Sequence, residues 1–462
     1  MNRKIRVLCF TDLATGRDVE MILPIRFFAE KFLNCEFYHA LNIDIHKIFI
    51  IKPDIILLPN TIGSNLYFEI SKIAHQQSIP LFALISEGNF RTDGSFNIWG
   101  FNKDKKFYQE FICCWSQRTA EYLKKIVPEY KDRIVVTGGV GFDRYVIYQF
   151  MTKENFLKKY KKEEYKKVIG YAGWAFGKKD HKRGREELIS FFKGDHSKLQ
   201  WVEEQRIKVR EILRSLIESN PDILFILKQH PQENAPERPE PVINEMCELV
   251  NYPNVLYLCN EESIHDLISV SDIWTCFEST TALESWLMGK QTIFINPDPD
   301  FNRDLIYKGS ALAKNYNEIQ EMISQFYNKG KIDEFFYEDK IKMRNQLIND
   351  IIGFGDGFNH IRASLYLKKT IDHYLEGKYN PTYKFHFWHW LVYILIRIAG
   401  PFYNKKLYSH IYKLKKHLWV FEDYKMDKLY QLYERYKIFL DKFYQIKNID
   451  EKYIAGELLK NI

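Results

Sequence analysis

Gln229-His230-Pro231 closes the apolar run 222–228, where a short buried strand would carry an imidazole to the carboxyl edge of a parallel sheet, with the Lys228 cation beside it. Open α/β sheets bind ligands at that edge, and a cationic donor there suits a phosphate. Pro231 stops the strand and fixes the loop; a histidine satisfied inside its own turn is the alternative. A second polar cluster, Glu278-Ser279-Thr280-Thr281, lies between a strand-like run at 272–277 and a helical pattern from 281. Backbone N–H groups and hydroxyls at such a helix start attract anions, while Thr281 with Glu284 three residues on reads equally as a capping box. Glu284 is also placed to reach ribose hydroxyls. Together the clusters suggest a nucleotide site, to which Gly173, following the strand-like run from 167, and Glu262 add further binding candidates.

Acid–base chemistry needs a carboxylate at a comparable position. Ser86-Glu87-Gly88-Asn89 follows the strand-like run 80–85, and Thr92-Asp93-Gly94 comes shortly after, so Glu87 and Asp93 are the candidate bases for an acceptor hydroxyl; each reads otherwise as an ordinary turn acid. The basic segment Lys178, Lys179, His181, Lys182, Arg183 and Arg185 is either a solvated loop or an attractor for a diphosphate or acidic sugar. Pro297-Asp298-Pro299-Asp300 has the spacing of a metal-binding acid pair, but its prolines make a turn, and no metal is assigned. Neither a GxGxxG nor a Walker lysine follows the glycines at 170 and 173.

The elements that must position these residues alternate. Strand-like runs at 5–10, 54–58, 80–85, 111–115 and 133–136 are interleaved with helical patterns at 18–32, 66–77 and 117–126. After a lysine-rich bridge at 153–167, a second series runs 167–172, 222–227, 254–258, 272–277 and 291–295. Alternation of this kind predicts βαβ units and parallel sheets with both faces covered. The expected divisions are an acceptor domain at 1–152, a nucleotide domain at 153–382 and a helical tail at 383–462. With 46% hydrophobic and 27% charged residues among 462, the chain is globular, and a net charge of +7 does not of itself call for a nucleic-acid partner. Seven cysteines without a CxxC pair are expected to be free thiols, with no zinc site or disulfide framework. The start of the sequence lacks the apolar segment of a signal peptide, so a cytoplasmic location is expected.

In the tail, 385–398 is apolar and aromatic but interrupted by His386, His389 and Arg397, and shorter than the roughly 20 residues a spanning helix needs. Gly400-Pro401 and a basic stretch at 405–417 follow. An interfacial helix on an anionic membrane fits this pattern; helices packed back on the core are the other reading. Leu429, Leu432, Tyr433, Tyr436, Phe439 and Phe443 have the spacing of a buried helix face.

The two-half layout, the acidic-Gly loop, Lys228-Gln229-His230-Pro231 and the Ser279-Thr280 helix start resemble GT-B glycosyltransferases that use cytidine-nucleotide donors: bacterial sialyltransferases and polysialyltransferases, Kdo transferases of capsule and lipopolysaccharide, and related surface carbohydrate biosynthesis proteins. The segment from Val136 to Asp143 is similar to the Thr-Gly-Asn-Pro-Arg-Phe-Asp signature of the last group, with Gly139, Val140 and Gly141 replacing Asn-Pro-Arg. The resemblance implies two Rossmann-like domains facing a central cleft, with a helical appendage. It implies that His230 holds the donor phosphate with Ser279 and Thr280, and that Glu87 is the base. The implied activity is inverting, metal-independent transfer of a 2-keto acid sugar, Kdo or a sialic-acid-like nonulosonate, from CMP to a bacterial surface glycan or glycolipid. The enzyme would sit on the inner face of the cytoplasmic membrane. Rival expectations are a CDP-glycerol or CDP-ribitol phosphotransferase and a non-catalytic GT-B scaffold. A UDP-sugar epimerase is disfavoured because such enzymes need no apolar, basic tail.

Overall fold

The computed structural model describes residues 3–12, 16–89, 106–230, 233, 243–259, 261–299, 308–384, 387, 388, 390, 391, 394 and 426–460. Asp93, Pro231 and Asp300 lie outside the described residues, as does most of the tail between 385 and 425. The chain divides into two compact units, 1–148 with 349–462, and 149–348.

The first unit holds β1 (Ile5–Thr11), β2 (Cys35–Leu41), β3 (Ile55–Leu58), β4 (Leu81–Ala83), β5 (Ile112–Cys114) and β6 (Ile134–Val136), in the order β2-β1-β3-β4-β5-β6. Every pairing is parallel. Alternate residues serve opposite faces, as the pleat requires. Val7, Cys9, Ile55 and Leu57 pack with Met21, Ile22 and Ile25 of the helix Arg17–Phe32, whereas Leu8, Phe10, Ile56 and Leu58 pack with Tyr67, Ile70 and Ala74 of the helix Asn65–Gln76. With both faces covered, β3 is apolar at every position, and all of it is buried.

The second unit repeats the plan with β7 (Lys167–Ala172), β8 (Ile223–Lys228), β9 (Val255–Leu258), β10 (Ile273–Cys276), β11 (Gln291–Ile295) and β12 (Ala311–Ala313), ordered β12-β11-β10-β7-β8-β9. Here too all strands are parallel.

The second domain was expected to run to 382, but the chain returns to the first unit at 349. The reason is local: Ala363, Leu367 and Ile371, four residues apart on the helix Asn359–Leu375, complete the same core as Val7 and Cys9. Asp143, the last residue of the Thr-Gly-Gly signature, fixes the start of that helix. Its carboxylate accepts from the backbone N–H groups of His360 at 2.7 Å and Asn359 at 3.2 Å, and lies 2.8 Å from His360 Nδ1. His360 Nε2 meets the Tyr444 hydroxyl at 2.8 Å, and all three side chains are buried.

Tyr444 belongs to the helix Met426–Ile446. Leu429, Tyr433, Tyr436 and Phe443 are buried as their spacing predicted, with Leu432 and Phe439 half-buried. Tyr436 stacks on Tyr148 at 3.9 Å, and the Arg26 guanidinium lies 3.9 Å from the Tyr433 ring centre. This part of the tail is therefore core, which leaves the membrane reading to the segment before it. Among the described residues no helix is long and apolar enough to cross a membrane. All seven cysteines are free; five are buried, and Cys247 and Cys259 are half-buried.

Candidate functional site

In the second sheet the chain runs outward from β7 through β8 to β9, then returns to β7's other side as β10. The strand order reverses between β7 and β10, the place at which an open α/β sheet forms its ligand crevice. The loops leaving β7, β8 and β10 are neighbours there, and they carry Gly173, His230 and the cluster Glu278 to Thr281. Three sequence-derived candidates thus meet at one edge, because parallel strands all present their carboxyl ends on the same side.

Backbone conformation marks the third loop. Glu278 takes a left-handed φ of 49°, which costs a non-glycine residue roughly 1–2 kcal/mol. Strain of this kind gathers at ligand sites and persists only where the surroundings enforce it. The capping box expected of Thr281 and Glu284 does not form. Thr280 occupies the cap position without a side-chain cap bond, Ser279 Oγ accepts from the Thr281 N–H at 3.3 Å, and the Trp274 indole donates to Thr281 Oγ1 at 2.9 Å. Thr281 is thereby spent on the core, while Thr280 is exposed and Ser279 and Glu284 are half-buried.

The β8 and β7 loops are tied together by Glu233, a buried residue that the sequence reading missed. Its N–H donates to the His230 carbonyl at 2.9 Å. Its carboxylate accepts from the Gly177 N–H at 2.7 Å and from Asn244 Nδ2 at 3.0 Å. Next to Asn244, Glu245 is fully buried and accepts from the Tyr171 hydroxyl at 2.8 Å. Burial, and then the neighbouring Glu233 charge, push the Glu245 carboxyl up to about 8. The glycine at 173 has its explanation here: a Cβ would overlap Glu245 Oε1 and stand 2.5 Å from the Tyr171 hydroxyl. Its small size serves this buried pair, where a close approach to ligand had been expected.

Other candidates are engaged elsewhere. Lys228 is buried, and its ammonium donates to the carbonyls of Cys259 and, at 3.2 Å, Gln229, with burial lowering its pKa. Glu262 accepts from Lys159 and from the Tyr160 hydroxyl at 2.7 Å. In the basic segment Lys178 pairs with Glu187 at 3.1 Å and Lys179 with Glu203 at 2.7 Å, while His181 Nδ1 caps its helix by accepting from the Gly184 N–H at 3.0 Å. Asp298 accepts from the Trp201 indole at 2.7 Å. Among the described residues no cluster of His, Cys, Asp and Glu side chains is arranged to hold a metal ion.

In the first sheet the reversal lies between β1 and β3. Glu87 stands on the loop after β4, its side chain 40% exposed and paired with Arg17. Gly88 is pressed against Trp115, where a Cβ would come within 2.6 Å of the ring, and the indole donates to the Ile85 carbonyl at 2.6 Å. Arg118 reaches Asn89 Oδ1 at 2.5 Å. The acidic loop is thus clamped from β5, leaving the Glu87 carboxylate at the surface.

Beside it lies Asp18, in the first turn of the helix that follows β1. Burial raises its pKa to about 7, reinforced by the charges of Asp12 and Glu87 and opposed by Arg17. A carboxyl poised near neutrality is suited to proton transfer. In the sequence Asp18 only marks the start of a helical pattern; the signal that could have exposed it is Asp12, six residues earlier, immediately after β1.

Two Rossmann-like units, each with its candidate residues at the carboxyl edge of a parallel sheet, make this a GT-B-like fold. No family model matches the sequence, and no curated protein matches it. Among solved structures, a UDP-N-acetylglucosamine 2-epimerase aligns at 13% identity over 84% of this chain and 100% of its own, with a TM-score of 0.52. A Listeria monocytogenes structure assigned as a UDP-N-acetylglucosamine 2-epimerase aligns at 15% over 83% and 100%, TM-score 0.51. The wall teichoic acid polymerase TagF aligns at 11% over 82% and 90%, TM-score 0.48, a likeness too slight to argue from. At these identities the first two show the fold alone.

Proposed function

We propose that the chain is a glycosyltransferase drawing on a nucleotide-activated sugar, with the second unit binding the nucleotide and the first supplying the base. The observation that carries this reading is the meeting of the β7, β8 and β10 loops at the second sheet's reversal, with His230 on one and the left-handed Glu278 on another. The donor we favour is a CMP-linked 2-keto acid sugar, on the resemblance of the His230 and Ser279-Thr280 segments, and the acceptor a bacterial surface glycan or glycolipid at an anionic membrane.

In this scheme a carboxylate of the first unit, Asp18 or Glu87, takes the proton of the acceptor hydroxyl. The acceptor oxygen attacks the anomeric carbon from the face opposite the nucleotide. The bond to the phosphate breaks, and CMP leaves with the electron pair while His230, Ser279 and Thr280 donate hydrogen bonds to it. Lys228 has no part in that contact, since its ammonium is committed to two backbone carbonyls. No metal takes a step.

Calorimetric titration of the intact chain with CMP, CDP and UDP tests the reading. CMP should bind tightest, and His230→Ala should weaken it roughly tenfold or more, the loss expected of one hydrogen bond to a charged group. Tightest binding of CDP, with a phosphodiester in the product, would move the assignment to glycerol-phosphate or ribitol-phosphate transfer. Preference for UDP would sink the CMP donor, and failure of all three would sink the enzyme reading in favour of a scaffold.

A further inference from the structure

Residues 382–384 fasten the start of the tail to the amino edge of the first sheet. The Thr382 N–H donates to the Gln77 carbonyl at 3.0 Å, the Lys384 N–H to Gln77 Oε1 at 2.6 Å, and the Tyr383 hydroxyl to the Pro53 carbonyl. Gln77 and Pro53 lie in the connections that enter β4 and β3. The same edge receives the end of the helix Asn359–Leu375, whose Tyr374 hydroxyl donates to Asp54 Oδ1 at 2.7 Å.

Just past this anchor, Phe387, Trp388 and Trp390 are 56%, 72% and 41% exposed, with the Phe387 ring 6.2 and 6.4 Å from the two indoles. Leu375 and Ile50 are each about two-thirds exposed nearby, and Lys4, Lys52 and Lys384 are exposed along the edge. The sequence continues apolar to Ile398, then basic with Lys405, Lys406, Lys413, Lys415 and Lys416. Exposed indoles flanked by lysines match the composition of a membrane interface, where the rings sit at headgroup level and the ammonium groups meet anionic lipid.

We propose that the amino edge of the first sheet, led by Phe387, Trp388 and Trp390, docks on an anionic bilayer surface without crossing it. This deepens the membrane partner named above, because it fixes which edge faces the lipid. The seven residues of β1, at about 3.3 Å each, carry the chain roughly 20 Å from that edge to the one bearing Asp18 and Glu87. Docking by the amino edge therefore holds the acid pair well clear of the headgroups, and the acceptor it serves is a lipid-linked glycan several sugars long. A sugar joined directly to the lipid would not reach it.

The test is co-sedimentation of the full chain with vesicles of phosphatidylcholine alone and of phosphatidylcholine mixed with phosphatidylglycerol. Binding should require the anionic lipid. The double variant Trp388→Glu/Trp390→Glu should lower the partition constant roughly tenfold or more, and Lys52→Glu/Lys384→Glu should weaken the preference for phosphatidylglycerol roughly tenfold or more. These side chains are exposed, so far-UV circular dichroism and the urea midpoint should match those of the unaltered chain. Unchanged partitioning of the tryptophan variant overturns the proposal; so does a variant that splits a dimer in light scattering while binding vesicles as before. For the acceptor, vesicle-bound glycolipids of graded length separate the two levels of inference. Turnover confined to the longer ones is expected, and equal turnover at every length overturns the stand-off. No turnover at any length, with partitioning as predicted, refutes the transferase reading and leaves the docking surface standing.

Discussion

Replacing Glu245 by Gln should change how stability depends on pH. The buried Glu245 carboxyl is raised to about 8 by desolvation and the adjacent Glu233 charge, whereas an unfolded glutamate titrates near pH 4.3. Between those values the folded chain holds a proton that the unfolded chain has released, so stability falls as pH rises. The slope is about 1.4 kcal/mol for each pH unit, and the whole effect is on the order of 5 kcal/mol. A glutamine reproduces the neutral acid, and its oxygen can accept from Tyr171 as the carboxyl oxygen does. From about pH 5.5 to about pH 7.5 the stability of Glu245→Gln relative to the parent should therefore rise by about 2–3 kcal/mol. Urea unfolding followed by tryptophan fluorescence is a suitable assay, because Trp274 and Trp286 are buried in the same unit. Asp18, the other raised carboxyl among the described residues, is present in both proteins and cancels in the difference. A stability difference that stays flat across this range, or that shrinks as pH rises, would refute the assignment of the retained proton to Glu245.

Gly173→Ala should destabilise the second unit by about 1–3 kcal/mol, since the new methyl overlaps the Glu245 carboxyl; an unshifted urea midpoint would count against that packing. Tyr444→Phe removes the partner of a fully buried His360 nitrogen and should cost about 1–3 kcal/mol. Limited proteolysis should then release the helix Met426–Ile446 earlier than in the parent, and identical digestion would contradict its role as an anchor. If Asp18 is the base, nucleotide release should rise with pH through about 7, where Asp18 loses its proton. Asp18→Asn should then lower the rate by roughly a hundredfold and erase that limb; a limb retained by Asp18→Asn and lost by Glu87→Gln would assign the base to Glu87.

Much of the architecture was readable without coordinates. Apolar runs of four to seven residues between helical patterns announced parallel sheets with covered faces, since only strands buried on both sides lose their alternation. The positions of His230 and of Ser279 and Thr280 at strand ends followed from the same runs. What lay outside that reading depends on contacts far apart in sequence. Glu233 and Glu245 bracket a polar, proline-containing stretch of sequence with no periodicity, and nothing local says that both carboxyls are buried. Lys228 looked like a phosphate ligand because its neighbours were polar, yet its ammonium is taken by the Cys259 carbonyl at the end of the adjacent strand and by the carbonyl of its own neighbour Gln229.

The sequence by itself determined ten of the twelve described strands, their carboxyl-edge loops and the amphipathic face of the helix at 426–446, because each is written in the spacing of neighbouring residues; β2, with polar residues among its apolar ones, and the three-residue β12 were not read from it. Only the tertiary structure decided how those loops are used. The left-handed Glu278, the raised Glu245 carboxyl beside Gly173, the near-neutral Asp18 and the return of 349–384 to the first sheet all arise where distant segments compete for the same buried space. Burial sets the cost of charge there, and burial belongs to the folded chain.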